Sequence, residues 1–312
     1  AGGSNPSWGS RCKLEAPFCS RIVMVALILD GTSIARELES GLITRVENLK
    51  KKSIITHLVV ILVGDDSASE IYVKNKQIMC QRIGIRSTLV NVDDDISQDE
   101  LERIIDEYND DDEVHGILVQ SPLPEKIDGL KIASKILPRK DVDGFNPINL
   151  GRLVQGDIGG IIPCTPLGII HLLEKTGVSL EGKRATVLGR SRIVGMPLSL
   201  LLAMKGVDAT VTIVHSRSVG IERICSDSDI LISAIGVPNF VKGEWIKEDS
   251  IIIDVGISRI EDSGKKSGYN IVGDVEKTAN KIAGWITPVP GGVGPMTIIK
   301  LMENTVRCSE LS

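Results

Sequence analysis

A lysine on the apolar side of a helix is the first residue in this chain that demands a chemical explanation. The spacing of residues 67–83 predicts a helix stopped by Gly84. Projected at about 100° per residue, Glu70, Lys74, Gln77 and Gln81 share a polar face, with Glu70 and Lys74 forming a favourable i,i+4 pair. Tyr72, Lys76, Met79 and Ile83 fall opposite, with Ser69 at the edge. Lys74 therefore belongs to solvent, and Lys76 faces inward. Burial disfavours the ammonium and lowers its pKa, which makes a proton donor and acceptor usable near neutrality. Tyr72, one turn earlier, can hydrogen-bond the amine or stack on a flat ligand. The plainer alternative for Lys76 is a snorkelling side chain at a domain edge.

Further polar groups point to the same place. Gln120 ends the apolar run VHGILVQ and precedes the loop SPLP, so its amide can donate to or accept from a ligand at a strand end. Asp141 and Asp143 in KDVDGFN are candidate carboxylates, one of them an ordinary turn residue on the plainer reading. Gly291, Gly292 and Gly294, set between prolines, expose backbone to a ligand, and no packing need is evident for all three.

The second half carries a nucleotide signal. Gly189 ends the run ATVLG before a turn and a helix, where bare backbone and free N–H groups suit a pyrophosphate. The glycine fingerprint is broken, with Ser191 at its second glycine and Gly195 as the later one, so glycines serving packing alone are the rival. The next strand, TVTIV, runs into His215-Ser216-Arg217-Ser218 without the carboxylate an NAD ribose wants. A cation and hydroxyls there, helped by Arg190, suit a 2′-phosphate and favour NADP.

These residues must be held by a regular frame. A helix over 32–52, strands over 57–64 and 85–92, a capping box at Ser97–Glu100 and a strand over 114–120 alternate strictly, which predicts a parallel sheet covered on both faces. The alternation pauses near 141–146 and 163–166, where Thr165 and Pro166 read as N-cap and first helical turn. A second series follows: strands over 185–188, 210–214, 230–234 and 251–255, with helices from about Gly195 and Ile221. The end is a rigid Gly/Pro loop over 287–297 and a helix to about Arg307. The fold class is α/β with two open, parallel domains.

Composition excludes several function classes. At 312 residues the chain holds about two domains, and 42% apolar with 25% charged residues is a globular balance. A net charge of −5 and 3% aromatics offer neither a basic surface nor stacking platforms, so no nucleic-acid or membrane partner is expected. Cys12, Cys19, Cys80, Cys164, Cys225 and Cys308 form no C-x-x-C pair and fit a reducing compartment, and no metal-ligand cluster is visible. The longest apolar run, 22–29, is too short to span a bilayer and reads as a strand. Residues 1–23 read as a processed leader or cloning remnant, with Met24 as a native start.

In order along the chain, YVKNK (72–76), VQSPLP (119–124), KDVDGFNP (140–147), PCTP (163–166), GRSRIVGMP (189–197) and TPVPGGVGPMT (287–297) resemble the motifs of the methylenetetrahydrofolate dehydrogenase/cyclohydrolase family. The likeness runs over about 27–307. It implies a cytosolic or organellar homodimer, of which the cytoplasmic reading is taken, in which residues 24–146 plus 291–312 form a folate-binding catalytic domain and 147–290 an NADP-binding Rossmann domain. It implies oxidation of 5,10-methylenetetrahydrofolate with NADP+, then hydrolysis to 10-formyltetrahydrofolate, in one-carbon metabolism. Lys76 matches the catalytic lysine, Tyr72 a pterin-stacking tyrosine, Ser69 the serine three residues earlier, and Gln120 the glutamine assisting the lysine. Asp143 matches the carboxylate that grips the pterin. Val119, Ser121, Pro290, Gly291, Gly292, Val293 and Gly294 line the folate side. Gly189, Arg190, Ser191, Ser216 and Ile257 match cofactor contacts, beside Gly195 and Arg217 from the residue reading. One departure stands out: Ser121 replaces a usual leucine. The alternatives are a shikimate-dehydrogenase-like NADP enzyme, a dehydrogenase-only member of the folate family, and a non-catalytic nucleotide or folate sensor.

Overall fold

The computed structural model describes residues 25–264 and 268–312. The leader expected at 1–23 lies outside the described residues, as does the start of the expected 22–29 strand. The first half runs β1 (Leu27–Ile28), α1 (Gly31–Lys51), β2 (His57–Val63), α2 (Ser67–Ile83), β3 (Arg86–Val92), α3 (Gln98–Asp110), β4 (Gly116–Val119), α4 (Gly129–Lys135) and α5 (Pro147–Val154). The second runs α6 (Cys164–Lys175), β5 (Arg184–Leu188), α7 (Gly195–Ala203), β6 (Thr210–Val214), α8 (Ile221–Ser226), β7 (Ile230–Ser233), β8 (Ile251–Asp254), β9 (Ser258–Glu261), β10 (Tyr269–Val272), β11 (Trp285–Ile286) and α9 (Val293–Leu311).

Two parallel sheets result. The smaller has the order β3-β2-β4, the larger β1-β11-β8-β7-β5-β6, and β9 and β10 form a separate antiparallel hairpin. Every residue of β2 is buried, as a central parallel strand covered on both faces must be. In the larger sheet β5 has β6 on one side and β7 on the other. The chain thus reverses direction at β5, which opens a crevice beyond its carboxyl end.

Local chemistry sets the helix that carries Lys76. The Asp66 carboxylate accepts the Ser69 N–H at 2.8 Å, capping the start of α2. Gly84 ends it with φ of 88°, a left-handed conformation that glycine adopts without a Cβ penalty. The Ser97–Glu100 capping box is present at the start of α3.

The structure departs from expectation where tertiary contacts dominate. The first strand contributes only Leu27–Ile28, and it joins β11 in the larger sheet although its sequence position groups it with the first unit. α6 starts at Cys164 with Pro163 as its N-cap, so Thr165 is not the cap; its hydroxyl instead lies 3.0 Å from that of Thr297 on α9. α9 begins at Val293, inside the expected Gly/Pro loop. α4, α5 and the β9–β10 hairpin are additions that period-based reading does not reveal, because each is short. α9 packs against α1, α6 and α2 and buries Met296, Ile299, Met302 and Val306, tying the two halves together.

Candidate active site

Lys76 is held, not free. Its Nζ donates to Gln120 Oε1 at 2.8 Å, across from α2 to the end of β4. Gln120 is fixed in turn: its backbone N–H donates to Ile61 O of β2 at 2.8 Å, and its Nε2 to Ser121 O at 2.6 Å. The side-chain amide is therefore oriented with oxygen toward the amine. Burial lowers the Lys76 pKa, and the nearby Asp143 carboxylate partly opposes that shift. Burial likewise raises the Asp143 carboxyl, opposed by Lys76. Among the described residues the Asp143 carboxylate accepts no hydrogen bond, so its acceptor capacity is left for a ligand. Tyr72 is part-buried; burial raises its phenol, countered by the charge of Arg259 on the β9–β10 hairpin. Ser69 is buried at the start of the same helix.

The two aspartates divide as the turn requires. Asp141 accepts from the backbone N–H groups of Gly144, Phe145 and Asn146 and from Asn149 Nδ2, at 2.8–3.1 Å. Burial nevertheless pushes its carboxyl up to about 6. Asp141 is the turn residue, and Asp143 is the free one. Gly144, with φ of 74°, lies so close to the next segment that a Cβ would sit 2.6 Å from Ile162 C and Pro163 N.

The cofactor-side residues gather at the carboxyl edge of the larger sheet. Gly189 follows β5 with φ of 111°, and a Cβ there would meet Ala234 O at 2.4 Å. Ser191 Oγ accepts the N–H groups of Val194 and Gly195 at 3.2 and 3.3 Å, shaping the turn into α7. Ser216 and Arg217 follow β6 and are exposed; Arg190 and Ile257 are exposed beside the same edge. A glycine-tight turn at the switch point, with two arginines and no carboxylate at the end of β6, fits a dinucleotide bearing a 2′-phosphate. A cavity joins both halves: Val119, Ser121 and Asp143 line it from one side, Arg192 and Ile193 from the other.

Packing explains more of the glycine loop than its sequence suggests. Gly291, with φ of 105°, accepts the Thr32 N–H at 3.0 Å, and a Cβ on Gly292 would lie 2.6 Å from Pro288 O. Both close the loop against the start of α1. Only Gly294 has open space around it, beside exposed Pro290 and buried Val293.

Comparison with known proteins gives the family. Residues 29–143 match the model of the tetrahydrofolate dehydrogenase/cyclohydrolase catalytic domain, and 163–312 that of its NAD(P)-binding domain. The chain belongs to the tetrahydrofolate dehydrogenase/cyclohydrolase family. A bifunctional protein FolD of Oceanobacillus iheyensis is 48% identical over 287 residues, 92% of this chain and 98% of the relative. The Campylobacter jejuni FolD crystal structure superposes with a TM-score of 0.87 at 42% identity, covering 92% of this chain and 99% of that one. A Trypanosoma brucei FolD structure, complexed with NADP cofactor and inhibitor, gives 0.88 at 39% identity, with 92% and 98% covered. Membership over both halves makes the chain an oxidoreductase and hydrolase of tetrahydrofolate chemistry, and the shikimate-type and sensor alternatives find no support.

For a tetrahydrofolate dehydrogenase/cyclohydrolase, the sequence reading missed residues that only folding delivers. Arg192 reaches from the turn after β5 toward Gly129 of the opposite half, 3.3 Å from where a Cβ would stand. Its place three residues after Gly189 in the same turn was the available signal. Cys164 is buried, donates to Val142 O at 3.2 Å, and lies close enough to Lys76 and Asp143 that their charges act on its thiol. Nothing in the spacing of a lone cysteine marks it.

Proposed function

We propose that one cleft oxidises 5,10-methylenetetrahydrofolate to the methenyl form with NADP+ and then hydrolyses that product to 10-formyltetrahydrofolate. The observation that carries this reading is the Lys76–Gln120 contact of 2.8 Å, with the Asp143 carboxylate near enough for its charge to act on the same amine. Asp143 accepts two parallel N–H groups from the 2-amino-4-oxopyrimidine edge of the pterin. Tyr72 gives the flat part of the substrate a face to stack on, and Ser69, Val119, Ser121 and the 290–294 loop close the pocket around it. Gly189, Arg190, Ser191, Gly195, Ser216, Arg217 and Ile257 hold the dinucleotide, which when bound supplies the hydride acceptor. The protein's part in oxidation is alignment, since hydride loss from the methylene carbon needs no strong acid or base.

Hydrolysis needs protons moved. Water adds to the methenyl carbon, and neutral Lys76 takes its proton. The resulting ammonium returns that proton to N5 as the C–N5 bond breaks, while the hydroxyl proton leaves to solvent. Formyl is left on N10, and one proton is released overall. Gln120 keeps the amine aimed through both transfers, and burial keeps it neutral often enough to act.

The enzyme works as a homodimer in the cytoplasm. Buried, unpaired Cys80, Cys164, Cys225 and Cys308 support a reducing compartment. Purified protein given methylenetetrahydrofolate and NADP+ is expected to form NADPH while methenyl-folate appears and decays. Absence of NADPH formation would overturn the reading. Gel filtration is expected to give twice the chain mass.

A further inference from the structure

The C-terminal helix contributes a residue to the geometry of the folate cleft that the mechanism above leaves unused. Asn304, on α9, is 2% exposed. Its Nδ2 donates to Val142 O at 2.8 Å and to Ile162 O at 2.9 Å, and it stands 3.4 Å from Cys164 Sγ. One amide thus binds the segment carrying Asp143 to the segment opening α6, from a helix distant in sequence.

We infer that Asn304 is a positioning residue for Asp143. The Val142 carbonyl and the Asp143 N–H share one planar peptide unit, so fixing that oxygen fixes the plane from which the Asp143 side chain departs. The opposite edge of the turn is already held: the Asp141 carboxylate gathers the N–H groups of Gly144, Phe145 and Asn146. The Val142 side chain is packed as well, which anchors the segment but does not by itself set the tilt of the peptide plane. Val142 is fully buried, and a Cβ on Gly116 of β4 would meet its Cγ1 at 2.4 Å. Among the described residues the Asp143 carboxylate accepts no hydrogen bond, so its direction is set by the backbone and by the charge of Lys76. Removing the Asn304 amide takes its donor from the Ile162 carbonyl and leaves the Val142 carbonyl with only the weaker Cys164 thiol donor, so the 142–143 peptide plane is less firmly held.

The inference rests on the assignment of Asp143 to folate binding, and the experiment separates the two. Asn304→Leu keeps the branched shape, at somewhat larger volume, and removes the donor. It is expected to raise the KM for methylenetetrahydrofolate about tenfold, the order of one lost buried hydrogen bond, while the KM for NADP+ stays unchanged. Asn304→Ser, which keeps one donor, is expected to fall between the two. In an Asp143→Asn background, Asn304→Leu is expected to add no further change in folate KM, because the carboxylate it aims is gone. A lowered melting temperature with folate KM unchanged would overturn the inference, as would a full tenfold loss added on top of Asp143→Asn. If Asn304→Leu does not fold, Asn304→Ser decides: a raised folate KM supports the inference, and an unchanged one overturns it. Wild-type protein without dehydrogenase activity would instead overturn the functional reading itself.

Discussion

Replacing Lys76 by Met separates the two activities. Methionine retains an unbranched apolar stem but loses the 2.8 Å bond to Gln120 and the charge facing Asp143. A positioned general acid–base group contributes about 10²- to 10⁴-fold, so cyclohydrolase turnover is expected to fall by that factor, about 3–5 kcal/mol of barrier. Hydride transfer needs no proton from Lys76, and dehydrogenase turnover is expected to fall less than about tenfold. Stability is expected to hold, because removing a desolvated ammonium offsets the lost hydrogen bond. The assay follows NADPH formation and methenyl-folate decay in one reaction, with NADP binding and the thermal transition as controls for folding. Methenyl-folate should accumulate. Lys76→Arg makes the complementary case: it keeps a cation opposite Asp143, but a guanidinium does not deprotonate, so hydrolysis should remain lost. Undiminished hydrolysis in either variant would refute the reasoning. In the wild type, cyclohydrolase rate should rise with pH through a midpoint below 10.5, since burial lowers the lysine pKa and the neutral amine is the active form.

Four further outcomes are expected. Arg217→Ala should weaken NADP about tenfold or more in a binding titration while leaving NAD nearly unchanged, since a charge-assisted bond to the 2′-phosphate is all it removes. Folate KM should rise as pH falls, beginning above the ordinary carboxylate range, because burial raises Asp143 and its protonated form loses an acceptor; Asp143→Asn should abolish that pH dependence. Gly144→Ala, forced to a φ of 74° and against Ile162, should raise folate KM and lower the melting temperature while sparing NADP binding. Burial lowers the pKa of both His57 and His115, so their neutral forms stabilise the fold above the unfolded value of 6.5, and that stability is lost as pH falls. The melting temperature should drop on acidification below that pH, and a His57→Asn/His115→Asn variant should drop less steeply.

Periodicity alone determined much of this protein. The apolar run of β2, the stop at Gly84 and the Ser97 capping box each state a local preference that neighbours reinforce, and the alternation of strands and helices leaves parallel sheets as the way to bury them. The wheel of α2 singled out Lys76, because an inward ammonium contradicts its surroundings on any helical fold. The strand end at Ser216–Arg217, exposed after β6, was equally legible as a position, since the absence of a carboxylate there is read from residue types at one place.

What only tertiary structure decided are the relations between segments far apart in the chain. Asp141 and Asp143 are indistinguishable by spacing; which one spends its oxygens on the turn depends on how 144–149 folds back over it. Gly291 and Gly292 looked free for a ligand until the start of α1 packed against them. β1 joined the larger sheet because the edge of β11 was open to it, a pairing across more than 250 residues that no local preference encodes. Asn304 is the clearest case, a polar residue on an apolar helix whose partners exist only once three distant segments meet. Hydrogen bonds and close packing act through space, and sequence patterns report only those that recur along the chain.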